Sequence, residues 1–451
     1  MSEKTYSLEM TIRTLLENKR YSSIKDILIT LNAADIAAIF AELEPDILPL
    51  LFRLLPKELA ADTFVEMDPD QQQLLITRFS DTELKEVIDE LYIDDAVDLV
   101  EEMPANVVKR ILYQADPETR KLINELLKYP EDSAGSIMTT EFVELGMGYT
   151  VEDAIKTIRR TGLDKETIND CFVTGPGRKL EGIISIRSLI LAQDDEKVSD
   201  IMDTNVVSVN TMDDQETVAQ KFKKYDLTAM PVVDKENRLV GIVTVDDAID
   251  VMEEEATEDI EKMAAITPSD KPYLKTSAWE IYIHRIPWLM LLMVSATFTG
   301  LIISSFEEAL AAQLVLTAYI PMLMDTGGNS GSQASVTIIR GLSLNEIQFK
   351  DIFTVIWKEV RVAVLCGISL AAISFLKLMF LDKVGMLVSL SVSLTLTVTV
   401  TIAKFIGCTL PMLAKKLGFD PAVMASPFIT TVVDALSLLT FFSIAKAIIG
   451  L

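Results

Sequence analysis

The sequence is poor in the residues that build soft-metal sites. It has one histidine, His284, and three cysteines, Cys171, Cys366 and Cys408, none of them in a Cys-x-x-Cys pair. A histidine-rich metal site within one subunit is therefore excluded, and the cysteines indicate a reducing compartment or inert buried thiols. The first ten residues, MSEKTYSLEM, contain no apolar core, so we expect no cleaved signal peptide.

Basic residues are also outnumbered by acidic ones, but only in the first part of the chain. The net charge is −26, from 41 basic and 67 acidic residues. From Arg285 onward there are 11 basic and 9 acidic residues, which leaves 30 basic and 58 acidic residues before it. A surface this negative repels nucleic acid and attracts cations. We therefore expect no nucleic-acid partner, although solubility alone would explain the charge as well.

Nearly all long uncharged runs lie in the second part of the chain. Residues 286–306 are uncharged throughout, which is long enough to cross a bilayer as one helix. We predict a transmembrane domain over residues 281–451 with five spanning helices. Their expected ranges are 286–306, 310–339, 362–380, 384–413 and 422–449.

The charges between these spans predict an orientation. Glu307 and Glu308 follow the first span without a basic neighbour. The loops expected after the second and fourth spans carry the basic residues Arg340, Lys350, Lys358, Arg361, Lys415 and Lys416. Basic loops stay on the cytoplasmic side of a membrane. We therefore expect a multi-pass protein of the cell membrane, with cytoplasmic N-terminal domains and the C-terminus outside.

A polar, glycine-rich segment interrupts the second expected span. Residues 321–341 read PMLMDTGGNSGSQASVTIIRG, in which Gly327, Gly328 and Gly331 alternate with polar residues such as Asn329 and Gln333. Lipid does not tolerate unsatisfied polar groups, so this segment must face protein or a water-filled path. Glycines let helices approach closely and expose carbonyl oxygens that can line an ion path. The segment therefore predicts a pore or translocation site.

Asp434 is the second unusual residue of this part. It lies in the middle of the fifth expected span, with no basic residue within ten positions on either side. A carboxylate in the bilayer centre costs about 2.5–3.5 kcal/mol on insertion scales. A cation-path ligand or a protonated carboxyl bonded to a neighbouring helix would explain it. Asp325, beside the glycines, has the same two explanations and is expected nearer the pore mouth.

Residues 1–130 predict an acidic domain of short helices. Turn signals recur about every 11–13 residues, from Pro45 to Pro117, and the segment Asp68-Pro69-Asp70-Gln71 is typical of a helix start. Leucine-rich helices between such turns indicate a small helical solenoid.

Residues 131–254 contain an internal repeat, with copies at about 137–200 and 201–254. Ile137-Met138 recurs as Ile201-Met202, and the segment 182–185, GIIS, recurs as 241–244, GIVT. Each copy is predicted to run strand, helix, strand, strand, helix. The repeat resembles a tandem pair of CBS domains, an α/β regulatory module that binds nucleotides or ions.

A strongly acidic helix is expected to connect this repeat to the membrane domain, within residues 246–280. Its carboxylates share neighbouring helix faces, where like charges destabilise the helix by a few tenths of a kcal/mol per pair. It is either a solvated linker or a helix that cations bridge to other acidic surfaces.

Together these features resemble the MgtE family of magnesium transporters and channels, over nearly the whole chain. The resemblance implies a homodimer in the lipid bilayer, with a pore lined by the second and fifth spans. Asp434 falls on the family's pore aspartate, which holds hydrated Mg2+. Mg2+ bound to acidic cytosolic residues would set the connecting "plug" helix against the pore and close it. Mg2+ is thus expected to be both the transported and the regulatory ion.

The resemblance also assigns residues by local match. The expected pore and selectivity residues are Asp325, Gly327, Gly328, Asn329, Gly331, Gln333 and Asp434. The expected metal-binding carboxylates are Asp434 in the pore, Asp420 in the loop before the fifth span, and Asp62, Asp94, Asp98, Asp214, Glu216, Asp226, Asp247, Glu255, Glu258 and Asp259 in the soluble part.

Some positions depart from the family pattern. Asp325 and Ser332 stand where relatives carry glycine and asparagine, which would alter the pore mouth or selectivity. Asp170, Ser188 and Leu227 stand where a nucleotide-binding CBS pair would carry other residue types, which argues against a nucleotide in the CBS cleft.

Three other functions remain open from the sequence. The chain could move another divalent cation, Co2+, Ni2+, Mn2+ or Ca2+, because oxygen ligands alone favour hard ions without separating these. It could be a membrane-anchored divalent-ion sensor, although an anchor needs neither Asp434 nor the polar second span. An enzyme is not expected, because Gly328-Asn329-Ser330-Gly331 does not match the Gly-x-Ser-x-Gly nucleophile turn.

Overall fold

The computed structural model describes residues 3–269, 273–274, 276–424 and 426–450. The chain folds into two compact units, the first extending to Val251 and the second beginning at Met252. The first part of the first unit, up to Leu126, consists of short helices joined by turns. Its helices are α1 (Glu3–Glu17), α2 (Tyr21–Leu28), α3 (Ala33–Ala41), α4 (Leu48–Phe52), α5 (Lys57–Val65), α6 (Pro69–Arg78), α7 (Asp81–Ile88), α8 (Ile93–Glu102), α9 (Ala105–Gln114) and α10 (Pro117–Leu126).

The predicted helix starts in this domain are confirmed. Helix α6 begins at Pro69, and α7 begins with a full capping box between Ser80 and Glu83. Asp116 caps α10 by accepting hydrogen bonds from the first-turn amides. Helices pack on the next helix but one, α3 on α5, α5 on α7 and α7 on α9. That regular stacking is what a helical solenoid requires.

The predicted repeat is present as two similar α/β copies. The first copy contains β1 (Phe142–Gly146), α11 (Val151–Thr161), β2 (Thr167–Thr174), β3 (Leu180–Ser185) and α12 (Ile186–Leu191). After α13 (Val198–Ile201), the second contains β4 (Val209–Asn210), α14 (Gln215–Tyr225), β5 (Ala229–Val233), β6 (Leu239–Thr244) and α15 (Val245–Met263). In each copy the first strand is parallel to the second, which is antiparallel to the third.

The repeated glycines lie where a segment of one copy packs against the last strand of the other. A Cβ on Gly241 of the second copy would lie 2.8 Å from Met138 Sδ, and one on Gly182 of the first would lie 2.5 Å from Met202 Sδ. Backbone hydrogen bonds join Thr139 to Ile242, and Ile183 to Asp203, in the same crossed sense. Each copy therefore completes the sheet edge of the other, which only glycine at these positions permits.

The second unit is helical. Its helices after α15 are α16 (Ala278–Ser305), α17 (Glu307–Ala312), α18 (Ile320–Ser343), α19 (Ile352–Leu376), α20 (Met386–Lys416) and α21 (Ser426–Ile449). Parts of the predicted linker, residues 270–272 and 275, lie outside the described residues.

Four helical segments of the described chain are long and apolar enough to cross a membrane: Ala278–Ser305, Phe349–Leu381, Met386–Lys416 and Pro421–Ile449. The remaining expected span, the second, corresponds to α18, which has 24 residues but is diluted by its glycines and polar side chains. The prediction of five spans is therefore not confirmed by length and composition.

Two predicted boundaries were wrong. The second span was expected from residue 310, but a 3-10 helix, Leu314–Tyr319, precedes α18, which starts with Pro321 in its first turn. The basic loop was expected to hold Lys358 and Arg361, but both are exposed on α19, which begins ten residues earlier than predicted. The apolar run alone does not show that a helix continues through charged residues beyond it.

The core of the second unit is formed by α18, α20 and α21, with α19 packed on α20. Its largest apolar cluster includes Leu323, Leu396, Leu438 and Phe441. Helix α16 packs on α21, yet none of its own residues is buried. Most of the α16 surface is therefore available to lipid or to another chain.

Candidate functional site

The glycines of α18 face protein rather than an open path. Gly327, Gly328 and Gly331 are all buried. A Cβ on Gly327 would lie 2.7 Å from Thr399 Cγ2, and one on Gly328 would lie 2.9 Å from Thr430 Cγ2. Small residues allow close helix approach in a membrane, where packing drives association. These glycines set the spacing of α18 from α20 and α21.

The closest of these approaches involves Gly331 and Gly407. A Cβ on Gly331 would lie 2.8 Å from Ile429 Cγ2, while a Cβ on Gly407 of α20 would run into the carbonyl oxygen of Gly331. The glycine carbonyl thus faces α20.

The polar residues of the same segment occupy a different face of α18. Asp325, Asn329 and Gln333 follow one another at four-residue intervals, so they form one stripe along the helix. All three are exposed in the described chain, unlike their glycine neighbours. A stripe of this kind cannot face hydrocarbon. It must be covered by protein or contact water.

Asp434 on α21 provides an acceptor inside this bundle. The residue is half-buried, and among the described residues its Oδ1 atom is buried without a hydrogen-bond partner. Its helix, α21, packs against α18, which carries Asp325. An unsatisfied buried carboxylate oxygen is costly unless something positive or protic binds it. The two carboxylates therefore define a candidate cation site in the second unit.

Several polar residues of the bundle were missed by the sequence analysis. Lys404 on α20 is buried and lies 3.8 Å from Glu359 on α19, Nζ to Oε2. The lysine interrupts an otherwise uncharged run, and that signal was available in the sequence. The hydroxyls of Ser335, Ser393 and Thr399 are buried and have no hydrogen-bond partner among the described residues.

A second acidic site lies in the first unit, where α8 approaches the start of α15. Burial, reinforced by the charge of Asp247, raises the pKa of Asp98 to about 8 and the pKa of Asp95 to about 7. The same two causes raise the pKa of Asp94, which is 7% exposed, well above its ordinary value. Ionisation of one of these carboxyl groups makes ionisation of the others less favourable.

Asp247 and Glu166 complete this cluster. Burial raises the pKa of Asp247 to about 6, partly offset by hydrogen bonds from Thr244, whose hydroxyl lies 2.6 Å from Asp247 Oδ2. Burial and then Asp95 raise the pKa of Glu166 to about 8. Among the described residues, no lysine or arginine forms an ion pair that would offset the charge of Asp94, Asp95, Asp98 or Asp247. The cluster is chemically suited to a hard cation that prefers oxygen.

The acidic end of α15 has a different environment, within the second unit. Lys262 Nζ lies 2.5 Å from Glu258 Oε1 and 2.7 Å from Asp420 Oδ2. Ser343 Oγ donates a hydrogen bond to Asp259 Oδ2 at 3.1 Å. Burial raises the pKa of Asp259, and that hydrogen bond partly offsets the rise. These contacts join α15 to the end of α18 and to the loop before α21.

Comparison with known proteins identifies the relatives of this chain. Residues 320–444 match a family described as MgtE, divalent cation transporter; residues 31–132 match the MgtE intracellular N domain, and 134–195 and 198–254 match CBS domains. The chain is 35% identical to the magnesium transporter MgtE of Thermus thermophilus, covering 100% of this chain and 99% of that protein. The chain belongs to the MgtE family. This confirms the predicted membership, the CBS pair and a transporter rather than an enzyme.

Other relatives agree with this membership. The magnesium transporter MgtE of Bacillus subtilis is 34% identical over 98% of this chain and 97% of its own length. A crystal structure of the cytosolic domain of the Mg2+ channel MgtE in complex with ATP is 36% identical, with a TM-score of 0.52, covering 54% of this chain and 99% of that one. A crystal structure of the soluble part of a magnesium transporter is 31% identical, with a TM-score of 0.52, over 56% and 99% of the two chains.

Of the carboxylates matched to the MgtE family, only some lie together. Asp94, Asp98 and Asp247 share the first-unit cluster, and Asp62 is close enough to act on Asp95. The cluster adds Asp95 and Glu166, which the family match did not select. Among the described residues, however, no three carboxylate, histidine or cysteine side chains converge closely enough to hold a metal ion. The individual ligand assignments therefore stay predictions.

Asp214, Glu216 and Asp226 lie apart from that cluster, on α14. Asp214 caps the helix by accepting a hydrogen bond from the Glu216 amide at 3.0 Å, while Asp226 ends it with a φ of 52°. Asp214 and Asp226 are twelve positions apart, which corresponds to about 18 Å along the helix axis. Asp214 and Asp226 therefore cannot bind one ion within this chain.

The residues that argued against a nucleotide already have partners within the CBS pair. Asp170 Oδ2 accepts a hydrogen bond from Thr228 Oγ1 at 2.6 Å, and the hydroxyls of Ser185 and Ser188 lie 2.9 Å apart. The ATP complex of the related cytosolic domain makes this expectation worth testing in the present chain. It stays a prediction.

Proposed function

We propose that this chain carries Mg2+ across the cell membrane as a homodimeric channel or transporter. One observation supports this most directly: the buried Asp434 oxygen and the exposed polar stripe of α18 place carboxylate and amide groups on helices of an otherwise apolar bundle. Two full-length relatives are named magnesium transporters, which selects Mg2+ among the hard divalent cations.

The chemistry of Mg2+ suits such a site. The ion releases its water reluctantly, so a pore can hold it hydrated through hydrogen bonds to oxygen acceptors. Asp434, Asp325 and the amides of Asn329 and Gln333 supply acceptors of that kind. The fixed negative charge of Asp434 would attract the cation where lipid and helix alone would exclude it.

A second copy of the chain would complete this site. In the described chain the stripe on α18 is exposed, and α16 buries none of its residues. The exposed stripe would be unfavourable in lipid and is explained if a second subunit covers it, whereas the apolar surface of α16 suits either lipid or a second subunit. We propose that α18 crosses the membrane despite its low hydropathy, which puts the C-terminus outside and the first unit in the cytoplasm.

We propose further that cytosolic Mg2+ closes the pore. The clustered carboxylates around Asp98 and Asp247 repel one another when no cation is bound. A divalent cation would relieve that repulsion and favour the compact arrangement of the first unit. Because α15 begins at this cluster and ends at the second unit, it is the element suited to transmit the change.

The proposal is tested by Mg2+ uptake into proteoliposomes that contain the full-length protein. Asp434→Ala and Asp434→Asn should abolish uptake while leaving the protein folded and its oligomeric state unchanged, because each removes the fixed charge. Glu346→Gln is the matched control, since Glu346 is an exposed carboxylate in the loop after α18. Wild-type uptake by the Asp434 variants would remove this residue from the mechanism.

The same assay separates the alternatives. Competition by Co2+, Ni2+, Mn2+ or Ca2+ identifies the transported ion, since oxygen ligands alone do not distinguish these metals. Absence of uptake for every ion, in protein shown to be folded, would favour an anchored sensor.

A further inference from the structure

Lys262 neutralises two carboxylates that the family match assigns to metal binding. Its Nζ atom bridges Glu258 Oε1 at 2.5 Å and Asp420 Oδ2 at 2.7 Å. Glu258 lies one turn earlier on α15, whereas Asp420 belongs to the loop between α20 and α21. The lysine side chain is 22% exposed. One ammonium group thus stands between the carboxylates of two separate elements.

The surrounding contacts show that this pairing is part of a packed joint. Met263, the last residue of α15, packs against Ile339 of α18 and the buried Ala422. The backbone amide of Ala422 donates a hydrogen bond to Asp420 Oδ1 at 2.8 Å, which orients that carboxylate toward Lys262. Ion pairing and apolar packing therefore both hold the end of α15 against α18 and the loop before α21.

The electrostatic balance at this joint depends on the lysine. Its Nζ atom is the positive group that contacts both Glu258 and Asp420. A lysine side chain carries its positive charge at neutral pH. Without it, Glu258 and Asp420 would be like charges held close together, and repulsion would oppose the docking of α15.

We propose that Lys262 is the resident cation of the Glu258–Asp420 pair, which holds the end of α15 in place without metal and competes with divalent cations for these carboxylates. The docking stands on the contacts alone. The competition rests on the proposed regulatory role of Mg2+. A divalent cation can bind the pair only while the ammonium group is away. The apparent affinity of the pair for the cation is therefore reduced in proportion to the fraction of time that the pair is free of the ammonium group.

Hydrogen exchange of the full-length protein, solubilised in detergent with EDTA, tests the docking. Lys262→Met keeps the side-chain length and a similar helix propensity but removes the charge. Amides of residues 252–263 should then exchange several-fold faster than in the wild type, whereas Lys262→Arg should remain close to it. Unchanged exchange in Lys262→Met would overturn the proposal.

A charge swap separates this pairing from a general effect of mutation. Lys262→Glu should speed exchange further, and adding Asp420→Lys should slow it again because the opposite charges are restored. Lys156→Met is the matched control, since Lys156 also bonds a glutamate four residues earlier, at 2.8 Å, but both side chains of that pair are exposed, on the outer face of α11. It should leave exchange of residues 252–263 unchanged. Failure of the swap to restore protection would also overturn the proposal.

A titration with MgCl2 tests the competition. Mg2+ should restore protection in Lys262→Met at a lower concentration than it needs to alter the wild type, because no ammonium has to be displaced. Equal midpoints would overturn the competition. Since exchange is measured rather than flux, an absence of Mg2+ uptake in proteoliposomes would count against the proposed function and leave this result standing.

Discussion

At the scale of single residues, the glycine segment of α18 has two separate tasks. The glycines are buried against α20 and α21, while Asp325, Asn329 and Gln333 are exposed on another face. The sequence analysis assigned both sets to the pore. The structure places the glycines in helix packing, and leaves the polar stripe with Asp434 as the candidate cation site.

A glycine-to-alanine pair tests this division. Gly327→Ala should destabilise the second unit by about 1–3 kcal/mol, the usual cost of overpacking, because the new methyl would lie 2.7 Å from Thr399 Cγ2 and 2.9 Å from Ser437 Oγ. Gly300→Ala on α16 is the control, since nothing lies within 4 Å of its Cβ position. Thermal unfolding in detergent measures both. Equal stability of the two variants would show that α18 is not closely packed at Gly327.

At the scale of elements, α15 joins two kinds of electrostatic site. Its first turn contributes Asp247 to a cluster of carboxylates with raised pKa values. Its last turn is held by Lys262, whose charge is balanced by Glu258 and Asp420. The first site lacks a cation of its own among the described residues, and the second has one. We therefore expect the first to respond more strongly to metal.

The carboxylate cluster predicts how metal-free stability depends on pH. Asp98 and Asp95 keep a proton up to about pH 8 and about pH 7 in the folded chain, but only to about pH 4 when unfolded. Below about pH 4 both states are protonated and there is no penalty. As pH rises from about 4 to about 8 the folded state loses stability, and above that the loss is complete.

Hydrogen exchange of α8 in EDTA measures this dependence. Exchange should accelerate between about pH 5 and about pH 8 beyond the intrinsic chemical rate, and Asp98→Asn should flatten the rise by removing one titrating charge. Saturating Mg2+ should remove most of this acceleration of exchange with pH in the wild type. Exchange with the same pH dependence in Asp98→Asn would show that the cluster does not strain the fold.

How much of this could be predicted from the sequence differs between elements. The CBS copies were predicted well, because the repeat carries its glycines and strands in the same order twice. The start of α18 was not, since an apolar run does not distinguish a 3-10 turn from the helix after it. Lys262 and Asp420 are far apart in sequence, so only the folded chain shows their pairing. Lys404 and Glu359 could have been found as charges beside or within predicted spans.

At the scale of the whole molecule, charge is divided between the two ends of the chain. The residues before Arg285 carry all of the net negative charge, and the remainder forms the apolar helices. Such a distribution is what a cation transporter with an acidic sensor would need.

The most direct test of the account is Mg2+ uptake by full-length protein in proteoliposomes with Mg2+ varied on the side of the first unit. We expect uptake that falls as Mg2+ on this side rises, and that falls less when Asp98 and Asp247 are replaced by asparagine. Uptake that is the same at every Mg2+ concentration on this side would contradict the sensor, and no uptake by folded protein would contradict the Mg2+ path itself.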